Sequence, residues 1–281
     1  MGYEAYCYLL THSKCISIVQ ITLVNLMVVG MKLSELVSYL NGQLQIGQFK
    51  DYCPNGLQVE GKSEVKRIVT GVTACQSLID VAIEKQADAI LVHHGYFWKG
   101  ENEAITGIKK QRIQSLLKHD ISLLAYHLPL DSHVDWGNNV QLARVLDFDI
   151  TGPIDPSDER VPGFIGRLKA PMTAHELSRH IGHKLNRVPM HIGEEDDLVQ
   201  TIAWCTGGAQ SYMQYAIDAG LDAFLTGEIS EPSVHNARES GTHFYAAGHH
   251  ATERYGAKAL GEHLADEFSL EVEFVDIDNP V

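Results

Sequence analysis

The chain has 281 residues, 44% of them hydrophobic, enough to bury one large core or two smaller ones without disulfides or a structural metal as staples. Its formal net charge of -14 repels phosphate backbones and argues against direct nucleic-acid binding. The five cysteines, Cys7, Cys15, Cys53, Cys75 and Cys205, are odd in number, widely spaced and never in a C-x-x-C pair, which points away from a disulfide framework or a thiolate zinc site and towards a reducing cytoplasm.

In chain order, the first feature is the apolar stretch Ile16 to Gly30. It is shorter than the roughly 20 apolar residues of a membrane-spanning helix, and it carries Gln20, Thr22 and Asn25. Only Lys14 precedes it as positive charge and no cleavage pattern closes it, so neither a membrane anchor nor a signal peptide is expected. Residues 1–30 read as an N-terminal extension outside the fold, with Met31 as the functional start. From Lys32, the residues Leu33, Leu36, Val37, Leu40 and Leu44 recur at helical spacing, with Ser34 near the start. A Pro54-Asn55-Gly56 turn follows. Arg67 to Val72 predicts a strand, Gln76 to Lys85 a helix, Ala87 to His94 a buried strand, Ile108 to His119 a helix and Ile121 to His127 another strand. A helix over Asn138 to Leu146 ends the first half. Such alternation predicts a parallel sheet flanked by helices.

The second half repeats this order. Sliding residues 67–95 by 134 positions onto 201–229 matches Ile68 with Ile202, Gln76 with Gln210, Ser77 with Ser211, Ala82 with Ala216, Ile83 with Ile217, Asp88 with Asp222, Ala89 with Ala223 and Leu91 with Leu225. Apolar periodicity alone makes any two βαβ units look alike; the polar identities are what favour a duplication. The fold class expected is therefore α/β, with two duplicated halves, 31–150 and 151–281, mainly parallel sheets and a metal site between them. Thr151 to Pro162, rich in Gly, Pro and acid, reads as the linker.

Ligands gather at the carboxyl ends of strands in open parallel sheets. Histidine is over-used here, with 15 residues, and four ionisable clusters fall at such ends. These are His93-His94, then His127 with Asp131 four residues on, then Glu228, then His249-His250 with Glu253. The pairs His127-x-x-x-Asp131 and His249-x-x-x-Glu253 match across the repeat, as do the positions of His93-His94 and Glu228. A His-His pair alone is more often surface or core than ligand; the coincidence of clusters at one topological position is what carries weight. Imidazole and carboxylate without thiolate suit two divalent ions drawn from Zn, Mn, Fe, Ni or Co. Asp131 and Glu253 are candidates to bridge the ions, and a water between them would ionise near neutral pH and serve as nucleophile. His127 and Glu228 are candidate catalytic residues that would orient this water or move its proton, or else would support the ligands from behind.

Four segments, Asn55 to Gly61, His93 to Glu101, His127 to Asp131 and Gly248 to Arg254, together resemble the YbgI family, proteins labelled type 2 homologues of GTP cyclohydrolase I. The resemblance runs from about Met31 to the C-terminus. It implies a duplicated α/β fold, a dinuclear metal centre held by His93, His94, Asp131, His249 and Glu253, and a ring-shaped homohexamer with the metals facing an inner cavity. The expected activity is metal-dependent hydrolysis of a small, nucleotide-like or otherwise polar substrate. A non-catalytic metal-dependent assembly protein is the alternative, linked in one version to handling of damaged nucleotides or DNA. Against GTP itself, the chain has no G-x-x-x-x-G-K-[ST] loop. Lys99, Arg254 and Lys258 near the motifs read as solvated charge, and Tyr96 and Trp98 as packing rather than base-stacking residues.

Overall fold

The computed structural model describes residues 30–281; apart from Gly30, the expected N-terminal extension lies outside the described residues. The chain opens with β1 (Met31–Lys32), α1 (Leu33–Gln43), β2 (Gly56–Val59), β3 (Glu64–Val65), β4 (Arg67–Thr73), α2 (Gln76–Glu84), β5 (Ala89–His94), α3 (Gly107–Lys118), β6 (Ser122–Ala125), α4 (Leu128–Ser132) and α5 (Asn138–Leu146). It continues with β7 (Phe148–Pro153), β8 (Phe164–Thr173), α6 (Ala174–Leu185), β9 (Met190–Ile192), β10 (Leu198–Trp204), α7 (Met213–Asp218) and β11 (Ala223–Thr226). Last come α8 (Glu231–Ser240), β12 (His243–Ala246), α9 (His249–Phe268) and β13 (Glu271–Phe274).

Two sheets carry the fold, in the orders β13-β4-β5-β6-β2 and β7-β8-β10-β11-β12-β9. Each has the expected parallel core, β4-β5-β6 in one and β10-β11-β12 in the other. Antiparallel strands β2, β8 and β9 border these cores. The expected linker begins within β7, whose solvent-facing edge position leaves it without the apolar run that marks a core strand. The two halves interleave, because β13 returns to pair in parallel with β4 and α9 packs on both α5 and β4.

Helices cover both faces of each sheet. On the first, Leu36, Leu40 and Leu44 of the α1 region meet Leu260 and Leu264 of α9 over β4 and β5, while Leu78, Ile79 and Leu116 pack on the other face. The second sheet is enclosed by α5 and α6 on one face and α7 and α8 on the other. Leu40 is fully buried, so truncating it to Ala would cost about 2–5 kcal/mol. Helix entry is secured differently in the two halves. The Thr173–Glu176 capping box closes α6, whereas α1 has no side-chain cap and its Leu33 amide donates to the Ser63 carbonyl at 2.9 Å.

The matched Asp pair shows how deep the internal repeat runs. Asp88 accepts hydrogen bonds from the Lys66 and Arg67 amides at 2.9 and 3.1 Å. Asp222 accepts from the Gln200 and Thr201 amides at 2.9 and 2.8 Å. Each aspartate therefore ties the start of one parallel strand to the loop entering the next. The carbonyls match as well, since the Ser122 amide donates to the Asp88 carbonyl and the His243 amide to that of Asp222.

Candidate metal centre

The carboxyl ends of β5, β6, β11 and β12 bring His93, His94, His127, Asp131, Glu228, His249 and Glu253 into one neighbourhood. His93 and His94 are successive residues at the end of β5, and a buried His93 turns its Nδ1 to the Tyr126 carbonyl at 2.9 Å, which leaves Nε2 facing inward. After β12 the chain turns at Gly248, with φ of 99°, where a Cβ would collide with Arg187. That left-handed turn favours glycine and starts α9 so that His249 and Glu253, one helical turn apart, share a face. Gly207, with φ of 68°, is needed for a second reason: a Cβ there would strike Oε1 of Glu253.

Glu253 lies at the centre. Its Oε2 is 3.2 Å from Nε2 of His94 and 3.0 Å from Nε2 of His249, and its Oε1 is 3.6 Å from Nε2 of His93. Asp131 Oδ1 is 3.4 Å from the same His93 nitrogen. Among the described residues four groups of donor atoms result: His94, His249 and Glu253; His93, Asp131 and Glu253; His93, His94 and His127; and Asp51, Cys53 and His127. Glu253 belongs to two of them and directs a different oxygen to each, which is the geometry a bridging carboxylate requires. Asp131 belongs to one. Its carboxylate is fixed by Asn138, whose amide donates to Oδ1 at 2.9 Å, while the Asn138 oxygen accepts from the Gly256 amide of α9 at 2.8 Å.

The histidines are oriented from behind. His127 Nδ1 is 2.7 Å from Asp51 Oδ1, and His249 Nδ1 is 2.7 Å from Glu228 Oε1. Each carboxylate fixes the tautomer and ring plane of its imidazole. Glu228 thus stands behind a histidine rather than in one of the donor groups. His250, its ring turned to Asp276 at 2.8 Å, stays outside the cluster. Sequence reasoning missed Asp51. It precedes the Asn55-Gly56 turn, and Asn55 both donates to Asp51 at 2.8 Å and accepts from the His127 amide at 2.7 Å. The turn was the available signal, though nothing in its spacing shows that it reaches His127.

Electrostatics follow from burial and mutual contact. Burial pulls the His93 imidazolium down, but Asp131 and Glu253 outweigh it and hold the group up at about 9. His249 is likewise lowered by burial and raised to about 9 by Glu253 and Glu228. His94 is pushed down to about 3 by burial and by the neighbouring histidines, against the pull of Glu253. Burial and Glu253 raise Asp131, while Glu253 itself is held well below the usual carboxylate range, three histidines overcoming its burial. Asp51 is lowered to about 2, its hydrogen bonds from His127 and Asn55 outweighing burial. Two cysteines lie close by. Burial and Asp51 push Cys53 up to about 12, and burial with Asp131 and Glu253 raises Cys205 well above the ordinary thiol range, so both are neutral thiols.

Close as they lie to their neighbours, the buried His93 Nε2 and Glu253 Oε2 make no well-directed hydrogen bond, a costly condition for polar atoms. Together with a donor set of imidazoles and carboxylates, this fits a divalent cation. A cavity of about 360 Å³ opens onto the cluster, walled by Tyr52, Trp98, His127 and Tyr212 and floored by Asp131, His249 and Glu253. The Trp98 and His127 rings meet edge to face, their centroids 5.0 Å apart. Tyr96 is a packing residue, buried with its hydroxyl donating to the Ala74 carbonyl. Arg254 is engaged by Leu185 and Asp276, and neither it, Lys99 nor Lys258 lines the cavity.

Fold and cluster define an α/β protein with strand-end groups able to hold metal ions. The chain belongs to the Duf34/NIF3 (NGG1p interacting factor 3) family, whose pattern it matches over residues 31–280. A Pseudomonas aeruginosa relative named "GTP cyclohydrolase 1 type 2 homolog" is 53% identical over 251 residues, covering 89% of this chain and 99% of the relative. A Vibrio cholerae relative of the same name is 55% identical over 249 residues, covering 88% and 98%. Among solved structures, ybgI, titled as of unknown function, superposes with a TM-score of 0.85 at 50% identity, covering 89% of this chain and 100% of the other. A protein from Thermus thermophilus gives 0.79 at 34% identity, with the same coverage. Among the described residues, no helix is long and apolar enough to cross a membrane.

Proposed function

We propose that this chain is a dinuclear metal-dependent hydrolase acting on a small polar, nucleotide-like substrate. The observation that carries the reading is the two-sided placement of Glu253 at the floor of an open cavity: it belongs to two donor groups, and members of each line that cavity. On this reading His94, His249 and Glu253 hold one cation, and His93, Asp131 and Glu253 hold the other. His127 stands beside the second set. Bound there, divalent cations supply Lewis acidity and make a nearby water acidic near neutral pH.

The protein's own groups perform the remaining work. Asp51 holds His127 with its Nδ1 engaged, so Nε2 faces the cluster and can take a proton from an attacking water and return it to the leaving group. Glu228 does the same orienting work for His249. Tyr52, Trp98 and Tyr212 form aromatic walls suited to a flat ring. Among the described residues lining the cavity there is no Lys or Arg, which favours a substrate without a triphosphate tail over GTP. The name shared by the relatives supports the cyclohydrolase-like class, while the cavity argues for a smaller substrate. Cytoplasmic location and a ring-shaped homohexamer complete the proposal. The free thiols Cys53, Cys75 and Cys205 support the first, and the family resemblance supports the second.

The test is turnover of a panel containing GTP, nucleosides, bases and cyclic amides by metal-loaded wild type and His127→Gln. Hydrolysis of an unphosphorylated heterocycle, lost by about 100-fold or more in the variant with cation content kept, is the expected result. Folded, metal-loaded protein with no turnover on any member would favour the assembly role instead.

A further inference from the structure

We propose that His191 and His243 form a second, separate site for one Zn²⁺-class divalent cation, at the end of the second sheet remote from the Glu253 cluster. His243 opens β12 at its amino end, whereas His249 follows that strand's carboxyl end. His191 lies on the adjacent edge strand β9, in register opposite Tyr245. The two rings are nearly parallel, 14° apart, and His191 Nε2 sits 3.0 Å from His243 Nδ1. Two bonds of roughly 2.1 Å at a tetrahedral angle place zinc-bound nitrogens about 3.4 Å apart. A small opening of the pair therefore admits the ion.

The surroundings favour a cation over a plain imidazole hydrogen bond. His191 stacks on Tyr245 at 4.7 Å and 15°, and the Tyr245 hydroxyl is anchored to the Ala174 carbonyl at 3.1 Å, so the ring is held in place before binding. On its far side His243 turns Nε2 towards Asp197 Oδ2 at 3.6 Å, a longer-range counterpart of the hydrogen-bonded carboxylates behind His127 and His249. Gly193, with φ of 145°, keeps the Nδ1 face clear: a Cβ there would fall on that nitrogen. Both histidines border a cavity of about 430 Å³ whose lining includes Glu194, Asp197 and Arg238, leaving one net negative charge at its rim. The segment holding these acids is tied to the start of α6, with the Ala174 and His175 amides donating to the Asp197 and Glu195 carbonyls. Burial lowers both imidazoles from the ordinary histidine value, and His243 lowers His191 further, so both offer neutral nitrogens near pH 7. Water from the adjoining cavity completes the coordination.

The site does not depend on the hydrolase reading, and its test is stoichiometry. The full chain, His191→Gln and the His191→Gln/His243→Gln double variant are dialysed against micromolar free Zn²⁺ at pH 7.5, and bound zinc per chain is counted. Loss of one equivalent in both variants, with the Glu253-dependent equivalents retained, is the expected result. The single variant replaces a part-exposed residue on an edge strand, so it decides the matter if the double variant fails to fold. Equal zinc content in folded wild type and His191→Gln overturns the proposal. So does a zinc-edge anomalous map of saturated crystals with no peak between His191 Nε2 and His243 Nδ1.

Discussion

Glu253→Gln keeps the shape of the central side chain and removes its charge, and its effect on cation uptake depends on pH in a way that can be worked out. Without a cation, Glu253 helps hold His93 and His249 at about 9. At pH 7.5 each incoming ion must therefore displace a proton from a group lying roughly 1.5 units above the buffer, at a cost of about 2 kcal/mol. Raising the pH removes that cost, so wild-type affinity climbs by about tenfold per unit per cation up to pH 9 and then levels off. In the variant both imidazoles fall back towards the ordinary value near 6.5, and proton competition ends at lower pH. The lost ligand then acts alone. Residues one step behind a ligand are worth about 10–100-fold in affinity, so a carboxylate in contact with both groups should be worth at least ~100-fold per cation, about 2.7 kcal/mol. Isothermal titration with Zn²⁺ from pH 7 to 9.5 reads the difference. The deficit of Glu253→Gln should widen with pH and be largest above 9. Two equivalents bound with wild-type affinity at pH 9.5, or a deficit that ignores pH, would refute the reasoning.

The groups behind the ligands give a graded series. Glu228→Gln should weaken one cation by about 10–100-fold and leave the other unchanged by the same titration. Asp88→Ala and Asp222→Ala should each destabilise the fold by about 1–3 kcal/mol in urea melts, since each leaves two strand amides unmet. Both carboxyls lie below their usual value, their hydrogen bonds overcoming burial. Their stabilisation is thus complete above about pH 4 and lost as the pH falls through their folded values, and stability profiles of Asp88→Asn and Asp222→Asn should be flatter on that acid limb. Gly207→Ala should lower both stability and cation content, because it forces a left-handed conformation worth about 1–2 kcal/mol and drives a methyl group into Glu253; metal analysis beside thermal melts checks it.

Much of the architecture is legible in the residues because local pattern and tertiary role agree. The strands Arg67–Thr73 and Ala89–His94 are β-branched or apolar runs buried on both faces, and the Asp88/Asp222 match marks one structural job done twice. Strands that lie at sheet edges are harder to see. β13, with alternating exposed acids, shows nothing in its spacing that sends it back some 200 residues to β4, and β7 is mostly solvent-facing. The meeting of His93, His94, Asp131, His249 and Glu253 could be anticipated, since strand ends converge wherever parallel strands share a sheet. Asp51 could not. It sits in a loop with an ordinary residue type, and only the folded Asn55 turn carries it to His127. The placing of Glu228 behind His249, one of the two roles its position allowed, also depends on side-chain direction, which a repeat alignment does not encode.

The central claim is that Glu253 is shared by two cations, and an anomalous difference map from crystals grown with Mn²⁺ or Zn²⁺ tests it most directly. Two peaks about 3.5–4 Å apart, one beside each oxygen of Glu253, are the predicted result. A single peak at this carboxylate, or peaks that bypass it altogether, would contradict the account.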